Sequence, residues 1–329
     1  MIILMNKMNQ KITDDELKQY EELIDIDKDE NKPDQDKQNK LGGPKNNNSF
    51  FKRLNLRNNL INIIIPAIIL LLIVYVLTNH IFPYNASFRL IKEKSKKEAI
   101  KTAGDIMIEI IQNNINPKIS LSVGEISKNI FKYLIDKYEQ NEISFINTTF
   151  FELYEYCGLD KKSKKSNSYF LSENFLDHID VKESNIYLIN NFGDNCLDIV
   201  EKYKEILNQN VIDLQLINIE DNYSLGINYP GIALESKTHI SQLSQNKKKE
   251  LANMFGIEIK DVPSEGITQG INDIIKSKNI LVVSSGKENS EGLKNLMKGK
   301  LDIDRPISTL KNHNGIIYVV ADEEACSLL

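Results

Sequence analysis

Cysteine is scarce in this chain of 329 residues: Cys157, Cys196 and Cys326 form no CxxC pair, and an odd count gives no disulfide framework. That leans towards a reducing compartment, with Cys157 read as a lone thiol rather than a nucleophile. Histidine is nearly as rare. His80, His178, His239 and His313 show no HExxH or other ligand spacing, so no metal is expected, nor is any cofactor, and each reads as structural or exposed. Neither a G-x-S-x-G elbow nor a G-x-x-x-x-G-K-[ST] loop occurs. Positive charge is not in excess either. With 41 Lys+Arg against 46 Asp+Glu the net charge is −5, and nucleic acid is not an expected partner.

What is present is unevenly distributed. Residues 60–78 read LINIIIPAIILLLIVYVLT, with no charge. At ~1.5 Å per residue such a helix is ~28 Å long, close to the hydrocarbon core of a bilayer. It starts too late for a signal peptide, so 60–82 is expected to be a retained, single-pass transmembrane helix with the lipid bilayer as a partner. Residues 1–59 carry 11 bases and 11 acids, all the acids lying within Asp14–Asp36. They cannot bury enough apolar surface to fold and read as a disordered leader. Five bases on one side of the span face six on the other, which leaves the membrane orientation open.

From residue 84 to 329 the texture is that of a folded domain with no internal repeat. An amphipathic helix is predicted over 88–115, ended by Asn116-Pro117. Strand-length apolar runs follow at Lys118–Val123, Ser144–Phe150, Ile186–Ile189, Ile212–Ile219, Ile280–Ser284 and Ile316–Ala321. Helical stretches lie between them at Ile126–Tyr138, Tyr169–His178, Leu197–Asn208, Gln245–Met254, Ile267–Lys276 and Glu291–Met297. This alternation predicts an α/β domain, a three-layer Rossmann-like, mostly parallel sheet with helices on both faces. Ligands in such sheets sit beyond the carboxyl ends of the strands. The loop after the first strand, Ser122-Val123-Gly124-Glu125, is a poor phosphate cradle because one glycine is followed by a carboxylate.

The stretch 143–190, with its Phe151-Glu152-Leu153-Tyr154-Glu155-Tyr156 turn, Ser168-Tyr169 helix start and Asn174-Phe175-Leu176-Asp177-His178 helix end, resembles the glucosamine-6-phosphate deaminase (isomerase) family, which includes the 6-phosphogluconolactonases at superfamily level. Val262-Pro263, Ile267-Thr268-Gln269-Gly270 and Asn279–Gly286 are similar to the family's later passages, in order. The resemblance implies the family fold and carbohydrate metabolism. It also implies an aldose–ketose isomerising and deaminating site, where a carboxylate moves a proton, a His assists ring opening, and a Gly-Gly-Thr loop and a Lys hold phosphate.

This sequence departs at those positions. The base falls on Tyr154, and the acid, the His and the final Glu fall on Asn222, Ser224 and Tyr229. The phosphate loop is Ser122 to Gly124-Glu125-Ile126 and the phosphate Lys position is Asn289, while Lys248 stands where the family has Arg. A phenol with pKa near 10 is a poor base at neutral pH, and neither Asn nor Ser shuttles protons as His does. Rescue would have to come from Glu152, two residues from Tyr154 and thus on the same face of a continuous strand, or from Asp221. The expectation is therefore a membrane-anchored, non-catalytic domain that binds a sugar phosphate or a protein partner. The alternative is an active isomerase, deaminase or lactonase with a rearranged site.

Overall fold

The alternation of apolar runs and amphipathic helices becomes a layered α/β domain in the computed structural model, which describes residues 86–160, 162–193, 195–219 and 224–329. The predicted leader (1–59) and membrane helix (60–82) lie outside the described residues; among the described residues no helix is long and apolar enough to cross a membrane.

The chain runs β1 (Ser87–Glu93), α1 (Lys96–Gln112), β2 (Lys118–Leu121), α2 (Glu125–Glu139), β3 (Thr149–Glu152), β4 (Tyr154–Tyr156), α3 (Asn167–Asn174), β5 (Ile186–Tyr187) and α4 (Cys196–Gln209). It continues through β6 (Leu214–Asn218), β7 (His239–Gln242), α5 (Gln245–Phe255), β8 (Glu265–Thr268), α6 (Ile271–Ile275), β9 (Asn279–Ser284), α7 (Ser290–Met297) and β10 (Ile316–Asp322). Seven strands form one parallel sheet in the order β1-β10-β9-β6-β2-β3-β5. β4, β8 and β7 form a separate antiparallel sheet.

Central strands read as near-continuous apolar runs because helices cover both faces. β9 and β10 bury Ile280–Val283 and Val319–Ala321 almost completely. α1 begins where Ser95 accepts from the Glu98 N–H and buries Ala99, Ala103, Ile106, Met107 and Ile110, positions that recur at helical spacing. Phe131 stacks on Phe175 at 4.8 Å between ring centroids, and Phe145 and Phe150 meet Phe175 edge-on at 5.5 and 5.4 Å. Each such pair adds about 0.5–1.5 kcal/mol beyond area burial.

Several predicted elements are corrected. The first part of the 88–115 helix is strand β1, which pairs along its whole length with β10 at the sheet edge. Ile267–Lys276 splits into β8 and α6, because Gly270 interrupts the helix and Glu265–Thr268 finds partners in β4 and β7. Strand β3 begins only at Thr149; upstream, the Asp180 carboxylate takes the Ser144 hydroxyl at 2.5 Å and the Phe145 N–H at 2.6 Å, fixing a turn instead.

Candidate active site

The carboxyl ends of β2, β3 and β6 converge on one cleft. It is lined by Ser122 and Val123 from the loop after β2, Leu153 and Tyr154 from the β3–β4 crossing, and Asn218 from the end of β6. Ser224, Gly226, Ile227 and Tyr229 close it from the following loop, and Lys247 reaches it from α5. Of the sequence-predicted positions, Ser122, Tyr154, Ser224 and Tyr229 are thus brought together. The cavity between them is about 40 Å³, room for a few waters.

Backbone geometry sets the loop after β2. Gly124 has φ +125° and ψ 176°, a region reserved for glycine, and it starts α2. Asn218 Nδ2 donates to the Val123 carbonyl at 3.1 Å and to Ser127 Oγ at 2.7 Å, tying β6 to this loop, while Ser122 Oγ and Ser127 Oγ lie 3.1 Å apart. Glu125 turns outward to the Lys96 ammonium at 2.7 Å, which holds its carboxyl below the usual range. Gly124 therefore shapes the loop from outside the group of residues that lines the cleft.

A strand that ran straight through 152–154 would put Glu152 beside Tyr154. Instead the chain keeps to the parallel sheet as far as the Leu153 N–H, which donates to the Leu121 carbonyl of β2, and enters the antiparallel one at Tyr154, which pairs with Thr268. Glu152 consequently lies in the interior. One carboxylate oxygen accepts from Ser168 Oγ at 2.9 Å and the Ile189 N–H at 2.7 Å. Its backbone exchanges two hydrogen bonds with Tyr203: the Glu152 N–H donates to Oη at 2.9 Å, and the phenol donates to the Glu152 carbonyl at 2.6 Å. Glu155 caps α3, accepting from Ser166 Oγ (2.6 Å), Ser168 N–H (2.8 Å), Asn167 N–H (3.1 Å) and its neighbour's N–H (2.7 Å).

Burial, and then the charge of Glu155, pushes Glu152 well above the usual carboxylate range. Burial also pushes Glu155 up, but its hydrogen-bond donors favour the charged form and pull it back. Tyr156, hydrogen-bonded to Tyr154, is pushed well above an ordinary phenol by burial and then by the charges of Glu250 and Glu155. Neither carboxylate is among the residues lining the cleft.

The remaining positions separate. Asn289 is buried after β9 and donates to the Ser285 carbonyl at 2.8 Å. Lys248 is not on the cleft; its neighbour Lys247 is. Asp221 and Asn222 lie outside the described residues. Asn218 and Lys247 were missed by sequence reasoning, although the end of β6 was a signalled place to look. Cys157 is no lone thiol: it is disulfide-bonded to Cys196, with Cα atoms 6.0 Å apart, because β4 delivers it to the first turn of α4. Among the described residues no cluster of side chains could hold a metal ion. The cleft thus offers hydroxyls, phenols, an amide and one ammonium, and its described lining contains no carboxylate or imidazole.

No family model matches the chain. It is 34% identical over 242 residues to a glucosamine-6-phosphate deaminase of Clostridium perfringens (strain 13 / Type A), which covers 73% of this chain and 99% of the relative. A glucosamine-6-phosphate deaminase of Thermoanaerobacter sp. (strain X514) is 32% identical over 234 residues, 71% of this chain and 92% of the relative. Among solved structures, a monomeric glucosamine-6-phosphate deaminase superposes with a TM-score of 0.70 at 29% identity, over 73% of this chain and all of that one. A 6-phosphogluconolactonase from Trypanosoma brucei shares the fold, with a TM-score of 0.61 at 14% identity over 75% of this chain and 99% of that one.

Proposed function

Because the chain belongs to the glucosamine-6-phosphate deaminase family, we propose that it acts on an amino-sugar phosphate held at the cleft of Ser122, Tyr154, Asn218, Tyr229 and Lys247. The observation that carries this reading is the 34% identity along 99% of a protein named for that reaction. The position of the cleft at the strand ends, where such folds take ligands, supports it.

The proton carriers differ from those the family resemblance implies. With Tyr154 and Ser224 in place of a carboxylate and an imidazole, proton transfer falls to Asp221, three residues before Ser224. Each missing general acid or base is worth roughly 10²–10⁴ in rate, so turnover is slow. The full-length chain incubated with glucosamine-6-phosphate is expected to release ammonia and fructose-6-phosphate at a low rate that Asp221→Asn abolishes. Ammonia no higher than in a protein-free control would sink the catalytic reading.

One observation favours a second reading, binding without turnover. Neither a carboxylate nor an imidazole is among the described residues that line the cleft. In that case glucosamine-6-phosphate at 100 times its Kd stabilises the fold by ~2.7 kcal/mol with no ammonia released. Residues 60–82 support placing the domain at a membrane, on either side. Recovery of the full-length chain in the supernatant after alkaline washing of membranes would overturn that placement.

A further inference from the structure

We propose that Lys247 is the anion anchor of the cleft, and that Glu250 is its resident counter-ion, displaced when an anionic ligand binds. The inference rests on the cleft being a ligand site, and it deepens that reading by naming the charge that selects the ligand.

Three observations converge. First, Lys247 is the one formally charged side chain among the described residues lining the cleft. Second, the groups that the family resemblance would assign to phosphate are otherwise engaged. Glu125 follows Gly124 and pairs with Lys96 outside, and the Asn289 amide is committed to the Ser285 carbonyl. Lys248 falls outside the cleft lining. Third, the Lys247 ammonium lies 2.7 Å from Glu250 Oε1, yet the two side chains differ in exposure, 17% against 59%. The cation is thus held against the cleft wall while its partner stands mostly in water.

An i,i+3 pair with one exposed member is weak, and the Glu250 carboxylate can rotate into water as an anion takes its place beside the mostly buried Lys247 ammonium. A phosphate group carries more charge than a carboxylate and accepts charge-assisted hydrogen bonds from an ammonium. Lys247 is also the third residue of α5, behind the Ser244 cap that accepts its N–H at 3.1 Å, so the positive end of the helix adds to its field. Asn218 Oδ1, buried in the same cleft without a hydrogen-bond partner, supplies an acceptor for a hydroxyl or amino group of the same ligand. The complement of this lining is a small polyol or amino sugar bearing one phosphate.

Titration calorimetry of the full-length chain with inorganic phosphate tests the anchor, and titration with glucosamine-6-phosphate tests the substrate reading on which it rests. Lys247→Met is expected to weaken phosphate binding about tenfold or more, the scale of a lost hydrogen bond to a charged group. Lys247→Arg should restore it, and the neighbouring exposed Lys249→Met should leave it unchanged. Glu250→Gln should tighten it about twofold by removing the competitor. Circular dichroism melting of each variant separates lost binding from lost folding. Unchanged binding in Lys247→Met, loss in Lys248→Met instead, or a wild-type chain that binds neither probe overturns the anchor. Phosphate binding through Lys247 with no tighter binding of glucosamine-6-phosphate keeps the anchor and defeats the amino-sugar reading.

Discussion

Two neighbourhoods meet at the β3–β4 crossing and treat charge in opposite ways. Below it, Glu152 and Glu155 are sealed in the interior and hold six hydrogen bonds from side chains and backbone between them. Above it, the described cleft lining has no carboxylate and one lysine. Strongly shifted carboxylates often mark catalytic sites, but ion and hydrogen-bond networks produce the same signature. Here the shifted pair is architectural. It fastens α3 and the loop before α4 to the point where the chain changes sheets. The neighbouring cleft is left to phenols, hydroxyls and one cation. Residues two positions apart in sequence can therefore belong to different chemistries, because leaving one sheet for another cancels the period-two rule.

The sharpest way to break this contrast is to remove the cap. Glu155→Ala would orphan the Ser166 hydroxyl and the N–H groups of Tyr156, Asn167 and Ser168 in a buried layer. We expect a loss of at least about 3 kcal/mol, because each buried donor left without a partner costs about 1–3 kcal/mol. Urea denaturation would measure it, and a loss under 1 kcal/mol would show that the layer is not structural.

The next largest effect concerns the Cys157–Cys196 link, which ties the end of β4 to the start of α4 across a sequence separation of 39 residues. Closing a loop of that length constrains the unfolded chain by about 2–4 kcal/mol. Changing both cysteines to serine should lower urea-derived stability by that amount. A dithiol reductant should lower the wild type equally and leave the double variant unmoved. Identical wild-type transitions with and without reductant would refute the link.

The buried pair also fixes a pH dependence. The Glu152 pKa is raised in the fold, so the stabilisation from its proton is complete below its ordinary value of 4.5 and is lost as pH rises towards the folded value. Stability therefore falls with pH above about 4.5, by at most ~1.4 kcal/mol per pH unit for one proton. Glu152→Gln imitates the protonated acid, keeps an oxygen for Ser168 and Ile189, and should flatten that slope. An unchanged slope would place the proton elsewhere.

The fold was legible where burial on both faces wrote long apolar runs, as in β2, β6, β9 and β10. It was not legible where pairing with distant strands decides. Edge strand β1, with Arg89 and Lys92 in it, reads like the start of the helix that follows. The four residues of β8, and the short β4 and β7, acquire their state only from one another. At the cleft, Tyr154, Ser224 and Tyr229 were reached by resemblance to the family. Choosing Lys247 over Lys248 required knowing which side of α5 meets the cleft, and pairing Cys157 with Cys196 required the route of the chain between them.

Gly124 brings the comparison down to one residue. The family resemblance reads this glycine as what remains of a phosphate loop, whereas its φ of +125° supplies a purely conformational reason for it to be there. Holding a residue with a Cβ in this essentially glycine-only region costs about 1–3 kcal/mol. Gly124→Ala should therefore lower stability by that much, with phosphate affinity at Lys247 unchanged once the folded fraction is accounted for. The opposite result, full stability with phosphate binding lost, would return the anion to the loop after β2. The contrast between a structural acidic layer and a lysine-anchored cleft would then have to be redrawn around that loop.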